Sequence, residues 1–171
     1  DLYTMLKKLF LLLLIVAPVS IFAQDKLAFI NAEEVFSKMP ELKEVESKLA
    51  TKSETIRKNL TALEKEYNDK VEAFKGDTTG LTESIVLDRQ KQLEDLQNRY
   101  QTFLQTSQQE YEKEQQALIT PLQEKLRKAI KDVGDENGYT YIFNVAAILY
   151  TSPTAAVDAS PKVKAKLGIT N

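Results

Sequence analysis

Leu42-Lys43-Glu44-Val45-Glu46-Ser47-Lys48-Leu49 opens a stretch, Pro40 to Val133, in which apolar residues return every three or four positions. On the near side of Gly76-Asp77-Thr78-Thr79-Gly80 they are Leu42, Val45, Leu49, Ile56, Leu60, Leu63, Tyr67, Val71 and Phe74. On the far side Leu93, Leu96, Tyr100, Phe103, Ser107, Tyr111, Leu118, Leu122, Leu126 and Ile130 continue the pattern. That spacing is the a/d seam of a coiled coil, and the Lys, Glu, Gln, Asp, Asn and Thr between seam positions leave each helix wet on most of its circumference. The two glycines and the polar residues between them form the one strong breaker cluster at mid-chain. The stretch predicts a long antiparallel helical hairpin whose arms, at a rise of 1.5 Å per residue, extend roughly 50 to 80 Å.

The hydrophobic fraction is 43% over 171 residues, and much of it is committed to that narrow seam. Little remains for a core, so a lone copy is expected to be poorly stabilised, with oligomerisation the usual remedy. There are no cysteines and no histidines. Thiol nucleophiles, imidazole bases, disulfides and Cys/His zinc sites are therefore excluded, and a chain without thiols is safe in an oxidising compartment.

Residues 1–23 read as upstream residues and a signal peptide. Met5-Leu6-Lys7-Lys8 is a basic start, Leu9 to Val16 an apolar segment, and Ser20-Ile21-Phe22-Ala23 a cleavage region leaving Gln24 first. Asp1 to Thr4 precede the natural-looking start at Met5. An uncleaved anchor is the competing reading, but the apolar segment is short for a span. Export is the expectation, with no stable membrane insertion after cleavage. Removing Lys7, Lys8 and Asp1 takes the net charge from −2 to −3. That balance offers no footprint for nucleic acid or anionic lipid.

Along the remaining chain, Lys26-Leu27-Ala28-Phe29-Ile30 is expected to be a strand buried on both faces. Asn31 with Glu34 forms a capping-box pattern for a short helix, Ala32 to Met39, and Pro40 suits the first turn of the long arm. The returning arm should start near Thr82 and end at Asn137, with Gly138 supplying the left-handed residue beyond. Pro121 interrupts it and predicts a kink or hinge, or else a break into two helices at Thr120. Tyr139 to Asn144 and Ala147 to Tyr150 are expected to pair as a hairpin, with the N-terminal strand joining them. Thr151 to Ala159 reads as a loop, and Ser160 as the N-cap, with Pro161 at the first helical position, of a short helix presenting Val163 and Leu167 and closed by Gly168. The expected fold class is α+β, mostly α: a coiled-coil tentacle, 40–133, projecting from a small β body. The body is built from 24–39 and 134–171, and so thin a sheet implies that several copies pool their strands.

Taken in order, these features resemble the Skp/OmpH family of periplasmic chaperones. The resemblance is carried by Leu27-Ala28-Phe29-Ile30-Asn31-Ala32-Glu33-Glu34-Val35-Phe36, Pro40, Pro121, Glu136-Asn137-Gly138-Tyr139, Ala147-Ile148-Leu149-Tyr150, Asp158, Val163 and Leu167. It implies a homotrimer whose three tentacles enclose a cavity and hold unfolded outer-membrane proteins without ATP. The best-known relatives are basic and this chain is mildly acidic, so contact with lipopolysaccharide or anionic lipid is not carried over.

A holdase needs scattered apolar groups on extended arms, so that many weak contacts add by avidity. Leu81, Ile85, Val86 and Leu87 crowd the tip and cannot all face one neighbouring helix, which makes them candidate client contacts or a small local cluster closing the hairpin. Tyr67, Phe74, Tyr100, Phe103 and Tyr111 are further candidates, or else zip the two arms together. Leu27, Phe29, Ile142, Phe143, Ile148, Leu149 and Tyr150 are assigned to the body and its contacts between copies. Carboxylates such as Glu64, Glu66, Glu110, Glu112 and Glu114 alternate with Lys and Gln and read as a solvated face, with no metal, cofactor or catalytic residue implied. The competing function is a structural coiled-coil component of the cell envelope. Polar Lys52, Ser107 and Glu114 at seam positions favour a softer, mobile arm.

Overall fold

A computed structural model describes residues 25–154 and 156–170; the signal segment expected at 1–23 lies outside the described residues. The order of elements is β1 (Leu27–Ile30), α1 (Ala32–Ser37), α2 (Leu42–Gly76), α3 (Glu83–Asn137), β2 (Tyr141–Asn144), a 3-10 turn (Val145–Ala147), β3 (Val157–Asp158) and α4 (Ser160–Lys166).

Helices α2 and α3, of 35 and 55 residues, would measure about 52 and 82 Å along their axes. They pack side by side and antiparallel. Cross-arm contacts rise on one helix as they fall on the other: Lys52 with Glu110, Glu66 with Arg99, Tyr67 with Gln97, and Phe74 with Arg89. Val45, Leu49, Leu96, Ser107 and Leu126 are the buried residues of the predicted seam, and its other apolar members are half-buried. Thr82 caps α3 by accepting a hydrogen bond from the Ile85 amide at 3.3 Å. At the other end Gly138 takes φ 65° and its N–H reaches the Gly134 carbonyl, the left-handed exit the sequence predicts. Lys26 donates to the Asn137 carbonyl there at 3.3 Å, setting a cation at the negative end of the long helix.

Helix α3 runs unbroken through Pro121, so there is no break at Thr120. The proline stands where the helix changes partner. Before it the buried Leu96 and Ser107 belong to the seam with α2; after it Leu126, Ala129 and Val133 join the body's core.

The body is a three-stranded sheet in the order β2-β1-β3, with both pairings parallel. Ala28 and Ile30 point into a core completed by Val35, Met39, Leu126, Ala129, Val133, Ala159, Val163 and Leu167. Helices α1, α4 and the end of α3 thus cover one face of the sheet. The start of α1 joins the pieces. Asn31 Oδ1 accepts from the Glu34 amide at 3.0 Å, Ser160 Oγ from the Asn31 amide at 3.2 Å, and Asn144 Oδ1 from the Ala32 amide at 3.5 Å. The helix's own cap and two residues far along the chain therefore satisfy amides that the short helix leaves without helical partners.

Several expectations are corrected. β1 is not buried on both faces, because Leu27 and Phe29 alternate away from the core. Helix α1 ends at Ser37, and α2 begins at Leu42 with Glu41 at its cap, so Pro40 precedes the arm instead of lying in its first turn. Ser160 is the first residue of α4, with Ala159 at the cap position. Among the described residues, 139–150 form no hairpin. After β2 the Asn144 side chain accepts from the Ala146 amide at 3.5 Å and turns the chain into the 3-10 helix, and Ile148 to Tyr150 form no strand. Val145-Ala146 supplies neither of the left-handed residues that a tight hairpin turn requires. The third strand is Val157–Asp158, inside the segment expected as loop. Residues 145–156 are the crossover of about a dozen residues that a parallel return demands.

Candidate functional site

The tip of the hairpin is the first candidate. α2 ends at Gly76, Gly80 turns the chain at φ 68°, and α3 begins at Glu83. Leu81, Ile85, Val86 and Leu87 are 41, 40, 49 and 59% exposed, so these apolar side chains meet water on and beside the turn. Arg89, which the sequence reading passed over, reaches back across the turn. Its guanidinium donates to the Asp77 carbonyl at 2.6 Å, the Asp77 carboxylate at 2.7 Å and the Phe74 carbonyl at 3.2 Å. It also lies 5.0 Å from the centre of the Phe74 ring.

The aromatic residues lower on the arms sit differently from the tip. Tyr67, Phe74, Tyr100, Phe103 and Tyr111 are all half-buried along the seam. Phe74 is occupied by Arg89, with the Lys70 ammonium also 5.5 Å from its ring. The Tyr67 hydroxyl accepts from Gln97 Nε2 at 3.0 Å. Leu63, Tyr67, Leu96 and Tyr100 line a shallow groove of about 410 Å³ between the arms, and Leu63 with Phe103 borders a second of about 760 Å³. These rings therefore both zip the arms and leave an edge in water.

The polar seam positions form one ionic layer. Lys52 Nζ lies 3.1 Å from Glu110 and 3.7 Å from Glu114 on the facing helix. The Glu110 hydrogen bond is the main cause that raises the Lys52 pKa, and burial works against it. Ser107 is buried beside this layer and returns its hydroxyl to the Phe103 carbonyl of its own helix.

The open face of the sheet is the second candidate. Register places Leu27 opposite Tyr141 and Phe29 opposite Phe143, all alternating away from the core. Tyr141 and Phe143 stack at 5.7 Å. Leu27, Phe29, Phe143, Ile148, Leu149 and Tyr150 border one hollow of about 570 Å³. Leu149 and Tyr150 stand almost wholly in solvent. Ile142 is separated from this group: it faces the other way and packs on the core. Tyr141 was missed, although its alternation with Phe143 in Tyr141-Ile142-Phe143 was the signal. Among the described residues no helix is long and apolar enough to cross a membrane, and no His, Cys, Asp and Glu gather to hold a metal ion.

The profile of the family described as outer membrane protein (OmpH-like) matches residues 26–167. The Skp chaperone of Yersinia enterocolitica is 23% identical over 138 residues, covering 78% of this chain and 82% of that one. The Skp chaperone of Pectobacterium atrosepticum is 22% identical over 150 residues, covering 86% and 89%. A crystal structure of an OmpH-like outer membrane chaperone from Caulobacter crescentus CB15 shares the fold at a TM-score of 0.73 and 18% identity, covering 85% of each chain. With arms and body both inside the matched residues, the chain belongs to the Skp/OmpH-like outer membrane chaperone family.

Proposed function

We propose that this protein is an ATP-independent holdase that binds unfolded outer-membrane proteins in the periplasm and keeps them from aggregating. The observation that carries the reading is the exposed apolar tip of Leu81, Ile85, Val86 and Leu87 at the far end of arms that are otherwise wet. A rod with a fixed structural role has no use for apolar side chains held in water at its end, whereas a holdase needs them free. The half-buried rings of the seam add weak contacts along the arm, and avidity sums them. The open sheet face, with Leu27, Tyr141 and Phe143 in water and Phe29 half-buried among them, supports assembly into a homotrimer whose bodies cover one another. Pro121, exposed where α3 passes from seam to body, would serve as the hinge on which each arm moves.

Native mass spectrometry of the purified protein, alone and with an outer-membrane barrel diluted from urea, tests this reading. A trimer that takes up one barrel and keeps it soluble is the expected result. A monomer or dimer that leaves the barrel to aggregate would overturn it.

A further inference from the structure

The turn Asp77 to Thr82 joins two long helices with residues that carry little order of their own. It holds a left-handed glycine, and within it the Thr79 hydroxyl meets the Asp77 carboxylate at 3.4 Å. A segment of that composition ordinarily samples many shapes. Here one side chain holds it. Arg89 satisfies the carbonyls of Phe74 and Asp77, where the ending helix leaves acceptors without partners, and grips the Asp77 carboxylate as well. Its cation also meets the negative end of the α2 dipole. The side chain is only 17% exposed, so it is committed to the turn. Lysine can supply the charge, but not a planar fork that serves three oxygens while lying over a ring.

We propose that Arg89 is a positioning residue that orders the tip before a client arrives, so that Leu81, Ile85, Val86 and Leu87 are presented as one ready surface to apolar segments of an unfolded chain. The inference rests on the tip being a client contact. Arg89 acts through the turn. Ordering in advance removes from each capture the entropy loss of arranging the surface.

The test compares wild type with Arg89→Gln, Arg89→Lys, Asp77→Asn and a tip variant with Leu81, Ile85, Val86 and Leu87 all changed to Ser. The probe is a fluorescently labelled outer-membrane barrel diluted from urea. Capture affinity, amide hydrogen exchange over 77–88, and helicity are read together. In wild type the amides of Asp77, Ile85 and Val86, bonded to the Ala73 carbonyl, the Thr82 hydroxyl and the Thr82 carbonyl, should be protected before the barrel is added; in Arg89→Gln their protection should appear only after it is added. Capture should weaken about three- to tenfold in Arg89→Gln and less in Arg89→Lys and Asp77→Asn, with helicity kept. Faster exchange with unchanged capture would overturn the positioning role, as would unchanged exchange. Should Arg89→Gln lose helicity, the graded response of the two milder variants decides. A tip variant that captures like wild type removes the client contact itself, while a weakened tip variant beside a normal Arg89→Gln removes only the positioning role.

Discussion

Glu34 ties α1 to α4. Its carboxylate accepts from Lys164 Nζ at 2.7 Å and from Lys38 Nζ at 2.9 Å. The Lys164 hydrogen bond first, then that of Lys38, lowers its pKa from 4.5 to about 2. A carboxyl whose folded value is depressed favours the folded state fully above its unfolded value and loses that contribution as pH falls through the folded one. The urea midpoint of Glu34→Gln should therefore lie below wild type by a constant gap down to about pH 4.5, and the gap should close towards pH 2. A gap unchanged at pH 2 would refute the assignment. The two tip glycines looked alike in the sequence but differ in the fold. Gly76 ends α2 with open space where a Cβ would stand, whereas Gly80 holds φ 68°. Gly76→Ala should stabilise by about 0.5 kcal/mol, and Gly80→Ala should cost about 1–2 kcal/mol, as measured by thermal unfolding. The capping pattern at Asn31 and Glu34 was legible by half. Asn31 caps the Glu34 amide as expected, but the Glu34 side chain turns to the lysines and Ser160 takes the Asn31 amide.

Among the elements, the long helices were readable because their period is sustained over many turns and Gly138 marks the exit. The strands were not, and the reason lies in Ala147 to Tyr150. An apolar run of that length suits a strand, yet it lies on the open side of the sheet and pairs with nothing described. Val157–Asp158 is too short to show any alternation and exists because β1 has a free edge, with the Ala159 amide closing the ladder on the Phe29 carbonyl at 2.8 Å. The core these elements share is small, so single truncations should tell. Met39 is almost wholly buried among α1, α3 and α4, and Met39→Ala should cost about 2–5 kcal/mol in urea unfolding. The arm should respond less. Lys52 and Glu110 are 29 and 59% exposed, so a double-mutant cycle should give a coupling below about 1 kcal/mol that fades as salt is raised. A coupling indifferent to salt would mean that the layer is sealed and the arm is stiffer there than a wet ion pair allows.

For the whole molecule, the sheet divides what is stable alone from what is not. One face is closed by the chain's own helices, and the other shows Leu27, Tyr141 and Phe143 to water with Phe29 half-buried beside them. The sequence reading assigned most of this surface to contacts between copies but included Ile142, because a list of apolar residues does not say which side of a strand each takes. Phe143→Glu should shift the proposed trimer to monomer in native mass spectrometry while leaving far-ultraviolet helicity intact. Loss of helicity together with assembly would place Phe143 in the core instead.

The central position of β1 has a consequence for how the molecule comes into being. Its neighbours on either side are β2 and β3, more than a hundred residues later in the chain. The arms need only each other, and their contacts close progressively from the turn. The body must wait until β3 and α4 have been made. Contacts so distant along the chain form slowly, so a nascent copy should pass through a stage with hairpin formed and first strand unpaired. A copy cut short before Val157 would keep its arms but lack β3 and α4. Synthesis through α4 therefore acts as a checkpoint: only a copy that has passed it carries the whole body.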